Sequence, residues 1–214
     1  MNNFYGLRDP KNTKLKLVNG SMIEYELLKI HDEYDTILQN PTKHWDFSNP
    51  PFDIKYLTFS MIETMLKNHG LGLSANQVGI PYRIFVMGTG QFVEAIINPL
   101  VLEMDEITEE SIEGCLSYPG LFLRIPRPKS IKVEYFDWSG NVKRNKFEGM
   151  TARVFLHEYD HLDGVRFTDR VSNTALMIAK NKIKSNLRKM KKNKVNQKDI
   201  IRNKITTGKS LINL

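Results

Sequence analysis

The segment from Gly149 to Gly164 carries two histidines four residues apart, His157 and His161, with Glu158 directly after the first. Side chains four residues apart on an α-helix lie one turn above each other, so both imidazole rings can face one cation. Glu158 projects about 100° further round such a helix, where it can handle a proton without binding the metal. Most other positions of the segment are apolar, and helices commonly end at a glycine such as Gly164. We therefore predict a largely buried metal-binding helix, the alternative being a buried helix with two hydrogen-bonded histidines.

A catalytic metal usually takes three protein ligands, so a third ligand must lie elsewhere. Phe167 occupies the position of the last histidine in the extended protease motif, and Glu158 is the last glutamate of the chain. The only cysteine, Cys115, follows Gly114, which has no side chain to keep the main chain at a distance. We predict that Cys115 is a thiolate ligand, although a lone cysteine is also common as a small buried apolar residue.

A glycine-rich stretch, GLGLSANQ, runs from Gly70 to Gln77 after a predicted helix over Ile54–Asn68. Its small residues allow main chain to lie against a ligand, and Gln77 can donate a hydrogen bond from its amide. The alternative is a helix end followed by a tight turn. The stretch has neither the dinucleotide-binding pattern nor the Lys-Ser/Thr of a phosphate loop.

The remaining periodicities predict an α+β fold, in which short antiparallel β-sheets surround a central buried metal-binding helix, with a C-terminal helical extension. Two short runs broken by glycines predict a hairpin, and Asn98-Pro99 is expected to end its second strand. The predicted strands are Arg83–Met87, Val93–Ile97, Leu100–Met104, Ile131–Phe136 and Val142–Phe147.

Charge is distributed unevenly along the 214 residues. Residues 173–214 hold 12 Lys/Arg and one acid, a net charge of about +11, whereas residues 1–172 have a net charge of about −4. We predict a body over 1–172 and a basic tail over 173–214. Apolar residues at steps of three and four predict a long amphipathic helix in the tail, at Leu176, Ala179, Ile183, Leu187 and Met190. Its lysines indicate either nucleic-acid binding or only a solvated helix face.

Features that the sequence lacks indicate the cellular compartment of the protein and whether it contacts a membrane. A single cysteine excludes an internal disulfide, which fits a reducing compartment. The first residues match neither an export signal nor a transit peptide, and no apolar segment approaches the length of a membrane span. We expect a cytoplasmic protein without a membrane partner.

Three segments together resemble the peptide deformylase family. The family pattern G-x-G-x-A-A-x-Q is present as GLGLSANQ, E-G-C-L-S is intact at Glu113–Ser117, and Q-H-E-x-D-H is present as LHEYDH. The motifs have the family's order, and the similarity extends from about Tyr25 to Phe167. The departures are Ser74 for the first alanine, Leu156 for glutamine, and Phe122 where many relatives carry arginine.

The resemblance implies an enzyme that removes the formyl group from the N-terminal formyl-methionine of new polypeptides and releases formate. Cys115, His157 and His161 would hold one divalent metal. Ferrous iron is favoured by the family, while zinc, nickel and cobalt also suit these ligands. The catalytic residues would be Glu158 for proton transfer, with Gln77 and the Leu116 amide stabilising the oxyanion. Substrate would contact four further residues, Leu71, Gly72, Met150 and Val154.

Two other functions compete with this hypothesis. A zinc metallopeptidase shares the H-E-x-x-H pattern but should have a third ligand downstream. A non-catalytic ribosome or RNA-binding protein would explain the basic tail, yet there is no aromatic RNA-binding motif. For a deformylase, the same tail predicts a contact with the ribosome, where its substrate emerges.

Overall fold

The fold is described here from a computed structural model, which covers residues 15–16, 22–23, 25, 27–89, 92–186 and 188–189. Contacts between residues divide the chain into two units, Met1–Val171 and Ser172–Leu214. Whether the catalytic function is confined to 1–172 stays a prediction.

The first unit contains nine described strands and two α-helices. The strands are β1 Leu15–Lys16, β2 Met22–Ile23, β3 Gly72–Ser74, β4 Ile84–Thr89, β5 Phe92–Met104, β6 Thr108–Gly114, β7 Phe122–Pro128, β8 Ser130–Phe136 and β9 Val142–Glu148. The helices are α1 Ile54–Lys67 and α2 Gly149–Leu162, and short 3-10 helices cover Thr36–Gln39, Ala75–Val78 and Phe167–Arg170. All strand pairs within the three sheets are antiparallel.

The main sheet has the strand order β3-β4-β5-β8-β9 and a helix on each face. Successive side chains of a strand point to opposite faces, and β4 is buried on both. Ile84 and Val86 join the core cluster of α1, whereas Phe85 and Met87 join the cluster of α2. The predicted fold class, antiparallel sheets around a buried central helix, is confirmed.

The prediction that Asn98-Pro99 ends a strand was wrong. β5 continues through this dipeptide to Met104, with a shift of its register against β8 between Ile97 and Leu100. Asn98 has a positive φ of 49°, and its side-chain amide makes two 2.8 Å hydrogen bonds with the main chain of Trp45. A bulge held by tertiary contacts therefore accommodates the proline inside the strand.

The pair β6 and β7 forms a separate two-stranded sheet that the sequence did not predict. Its seven paired positions run from Thr108 opposite Pro128 to Gly114 opposite Phe122. β6 ends directly before Cys115, which begins the loop between the two strands, and the hairpin thus positions the predicted thiolate ligand.

Helix α1 leads into the glycine-rich loop. Asp53 caps its N-terminus by accepting hydrogen bonds from the Lys55 and Tyr56 amides. After the helix ends, the Gly70 amide donates to the Met65 carbonyl and directs the chain into β3.

In the second unit, residues 173–186 and 188–189 are helical. Leu176, Ala179 and Ile183 are half-buried, while most of their neighbours are exposed. Leu187 and Met190 of the predicted apolar stripe lie outside the residues whose side chains are described. Among the described helices, none has both the length and the apolarity that a membrane span requires.

Candidate metal centre and active site

Three side chains from two distant segments form a compact cluster of ligand atoms. His157 and His161 lie one turn apart on α2, and their ring centroids are 5.2 Å apart. Cys115 follows β6, and its Sγ lies 3.2 Å from Nε2 of His161. The ligand atoms of the three residues all lie within 4.8 Å of one another.

A buried carboxylate orients the His157 ring, and the ligand types of the cluster suit a metal ion. Nδ1 of His157 lies 3.0 Å from Oε2 of Glu113. Burial tends to raise the pKa of Glu113, but hydrogen bonds from His157 and Arg127 outweigh it and lower that pKa to about 2. Since an ionised carboxylate only accepts hydrogen bonds, Nδ1 carries a ring proton and Nε2 is the nitrogen left for a cation. Burial lowers the pKa of His157, but hydrogen bonds with Cys115 and Glu113 outweigh it and raise that pKa to about 10, so a binding cation would displace the proton on Nε2. One thiolate and two imidazoles suit zinc, ferrous iron, cobalt or nickel.

Glu113 is the centre of a buried ion-pair network that sequence reasoning missed. Its carboxylate accepts two hydrogen bonds of 2.9 Å from Arg127 and one of 2.7 Å from Arg153. Arg127 also donates to Asp160 at 2.7 Å. All four side chains are at least nine-tenths buried. The network joins β6, β7 and α2 and fixes the His157 ring.

Replacing Glu113 by glutamine should lower both stability and metal affinity. The change leaves Arg127 and Arg153 buried beside a neutral amide, and breaking a buried pair in this way costs about 3 kcal/mol. The His157 ring also loses its anionic acceptor, which should weaken metal binding by about tenfold. Urea unfolding and metal titration measure the two effects. The control is Glu109→Gln, an exposed glutamate of the same strand, and equal stability of the two variants would contradict the expectation.

Glu158 lies beside the metal cluster and is enclosed by β3. Its Oε2 accepts a 2.6 Å hydrogen bond from the Ser74 hydroxyl. A Cβ on Gly72 would come within 2.4 Å of Oε1, so only glycine allows the strand to approach this closely. Burial raises the pKa of Glu158, while the Ser74 hydrogen bond opposes that shift. A raised pKa suits a group that accepts and returns a proton near neutral pH.

Gln77 contacts the cluster at Cys115. Its Nε2 lies 3.4 Å from Sγ of Cys115 and donates to the Ser117 hydroxyl at 3.1 Å. Its Oε1 accepts from the Ser74 amide at 2.9 Å, which fixes the side-chain orientation with the donor towards the cysteine.

A cavity of about 580 Å³ opens onto these groups. Nine of the ten predicted site residues line it, namely Leu71, Gly72, Gln77, Cys115, Leu116, Met150, Val154, His157 and Glu158. The tenth, His161, is buried behind Cys115 and contacts it. Leu71 and Met150 are 42% and 53% exposed, so the mouth of the cavity is apolar.

Two departures from the family pattern can now be placed. The Leu156 side chain packs in the core cluster of α2, and the carboxylate that supports His157 comes from Glu113. Phe122 is 64% exposed on the cavity wall, with its ring lying against Gly114.

Comparison with known proteins agrees with this geometry. The sequence model described as polypeptide deformylase matches residues 25–176. The chain belongs to the polypeptide deformylase family. A peptide deformylase of Thermotoga maritima is 46% identical over 132 residues, which are 62% of this chain and 80% of that protein.

Solved deformylase structures share the fold. The crystal structure from Thermotoga maritima is 43% identical with a TM-score of 0.66, and the match covers 69% of this chain and 99% of that one. The enzyme of Synechococcus elongatus, determined with actinonin, is 35% identical with a TM-score of 0.68, over 72% of this chain and 86% of that one. The resemblance seen in the sequence is confirmed. This deformylase-family chain is a metal-dependent hydrolase that removes the formyl group from nascent polypeptides, and the peptidase and RNA-binding alternatives are not favoured.

Proposed function

We propose that Cys115, His157 and His161 hold one ferrous ion and that Glu158 transfers the protons of the deformylase reaction. The observation that carries this proposal is the cluster of three ligand atoms within 4.8 Å, next to a buried glutamate at the wall of an open cavity. When bound, the metal would supply Lewis acidity towards water and the formyl oxygen.

Protein groups would supply proton transfer and stabilise the negative charge on the formyl oxygen. Glu158 would take a proton from the attacking water and give it to the leaving amine. Negative charge that develops on the formyl oxygen would be met by Nε2 of Gln77 and by the main-chain amide of Leu116. The hydrogen bond between Oε1 of Gln77 and the Ser74 amide holds this donor in place before substrate binds.

The cavity also supplies a binding mode for the peptide. Among the described strands β3 pairs with β4 alone, so its other edge is available to an extended chain. We propose that main chain at Leu71 and Gly72 pairs with the substrate as an added strand. The apolar side chains of Leu71, Met150 and Val154 would surround the methionine side chain.

Formate release tests the proposed centre. Protein purified without oxygen should release formate from formyl-Met-Ala, contain about one iron per chain, and leave Met-Ala intact. Reconstitution with zinc, nickel or cobalt compares the candidate metals in the same assay. A fully active preparation without a bound transition metal would overturn the proposed centre, and cleavage of Met-Ala would restore the peptidase alternative.

We further propose that the basic tail brings this enzyme to ribosomes in the cytoplasm. The body is mildly acidic, so ribosomal RNA would repel it, whereas the tail carries eight closely spaced cationic residues. Four of these, Lys182, Lys184, Arg188 and Lys189, are exposed on helical residues, and Lys180 is half-buried. The others, Lys191, Lys192 and Lys194, lie outside the described residues. Attraction to phosphates with counterion release should be strongly salt-dependent.

Removal of the tail should separate docking from catalysis. A chain ending at Ser172 is expected to turn over a short formyl peptide at nearly the full rate but to lose co-sedimentation with ribosomes at low salt. A triple variant with glutamine at Lys182, Lys184 and Lys189 should weaken co-sedimentation in the full-length chain. The matched control neutralises three lysines of the body, Lys132, Lys143 and Lys146. If both triple variants behave alike, or if the parent never co-sediments, the docking proposal fails.

A further inference from the structure

The hydroxyl of Ser74 occupies a position where the family pattern has alanine, and it contacts the reactive carboxylate. Ser74 is fully buried at the end of β3. Its Oγ lies 2.6 Å from Oε2 of Glu158 and 3.0 Å from the main-chain oxygen of the same residue. One hydroxyl thus contacts both the side chain and the main chain of Glu158.

The Ser74 hydroxyl holds one carboxylate oxygen of Glu158, and the other oxygen lies against Gly72. Gly72 lies against Oε1, where an added Cβ would be 2.4 Å away, and Glu158 lines the cavity. Rotation of the carboxylate would break the hydrogen bond to Oε2 or press Oε1 into the main chain of β3. Ser74 and Gly72 therefore fix the carboxylate from two sides.

Ser74 contacts Gln77 as well as Glu158. The Ser74 amide donates to Oε1 of Gln77 at 2.9 Å, so its main chain orients the amide donor while its side chain orients the carboxylate. A Ser74→Ala change removes only the second of these contacts, because the main-chain amide remains. Alanine is smaller and is the family residue here, so the fold should tolerate it.

We propose that Ser74 is a positioning residue for Glu158, whose hydroxyl aligns the carboxylate for proton transfer in this chain. The inference rests on the proposed role of Glu158. Removing a hydrogen bond that orients a group in a metal site typically lowers metal affinity or activity by one to two orders of magnitude. Ser74→Ala should therefore lower kcat by about tenfold, with KM for formyl-Met-Ala and iron content unchanged. Ser74→Cys should lower kcat by a similar factor, because a thiol is similar in size to a hydroxyl but donates only weak hydrogen bonds.

The control is Ser60→Ala, which removes another buried serine hydroxyl. Ser60 lies on α1, and its Oγ has no hydrogen-bond partner among the described residues. Its variant should keep the parental kcat. Unfolding temperature and metal content are measured for every variant, since a purely structural role of Ser74 would change these quantities and leave kcat per metal ion unaltered.

A double-mutant cycle with Glu158→Gln decides whether Ser74 acts through the carboxylate. If it does, Ser74→Ala should not further lower the residual turnover of Glu158→Gln, whereas it should add fully to Gln77→Ala. The proposal is overturned if Ser74→Ala lowers kcat by less than threefold, changes only stability or metal content, or adds fully to Glu158→Gln. A Glu158→Gln enzyme with parental activity would instead overturn the proposed role of Glu158 itself.

Discussion

Glu158→Gln is expected to lower kcat for formyl-Met-Ala by about 10³-fold while the chain keeps about one metal ion. The amide cannot accept and return a proton, yet it retains the size of the carboxylate and can still accept the hydrogen bond from Ser74. Stability should not fall, because burial disfavours the charged form of Glu158. The metal ligands and the network around Glu113 are unchanged by this substitution.

Formate assays measure the turnover of Glu158→Gln, and metal analysis of the same sample measures its metal content. Glu110→Gln provides the control, since Glu110 is an exposed residue of β6 and is not among the residues that line the cavity. Metal loss in parallel with activity would show that Glu158 supports coordination, and the assignment as proton carrier would then be wrong.

Cys115→Ala should weaken metal binding by at least about 100-fold and abolish turnover at micromolar metal. Changes in residues that only support metal ligands already cost 10 to 100-fold, so removal of a ligand should reach the upper end of that range or exceed it. Two histidines remain, and they bind a divalent cation much less tightly than a complete set with a thiolate.

Competition with a chelator measures the affinity of the parent and the variant. His44→Ala is the control for adventitious binding, because His44 is exposed and lies outside the cluster. The iron-loaded parent should also lose activity in air, while nickel-loaded protein keeps it, because ferrous iron beside a thiolate is oxidisable. Equal affinity of Cys115→Ala and the parent would disprove the proposed ligand set.

Local patterns predicted the parts of this site that depend on local geometry. The spacing of His157 and His161 fixes their relation on any helix, and the alternation at Ile131, Val133 and Tyr135 predicted a strand with one buried face. Cys115 was predicted as the third ligand because it is the only cysteine of the sequence and because no suitable ligand follows His161 in the familiar peptidase patterns.

The hairpin of β6 and β7 was missed because the burial pattern of β6 is inverted, with a buried glutamate beside an exposed isoleucine. β6 buries Glu113 and exposes the apolar Ile112 on the cavity wall, whereas β7 buries Leu123 and Ile125 together with Arg127. Polarity therefore gives the wrong face for β6. The compensating contacts come from Arg127 on the paired strand and from Arg153 of α2, which is 40 residues away from Glu113. Local sequence patterns cannot predict a charge network whose members meet only when the strands and the helix pack together.

The network around Glu113 also has a consequence for how the protein acquires its metal. Cys115 and the two histidines come from segments that only tertiary structure brings together, yet Arg127 and Arg153 already connect those segments through ion pairs. We expect these ion pairs to hold the ligand-bearing segments together before a metal binds, so that metal exchange requires little rearrangement of the chain. The metal content of the enzyme would then be set by the supply of divalent cations and by oxygen rather than by folding.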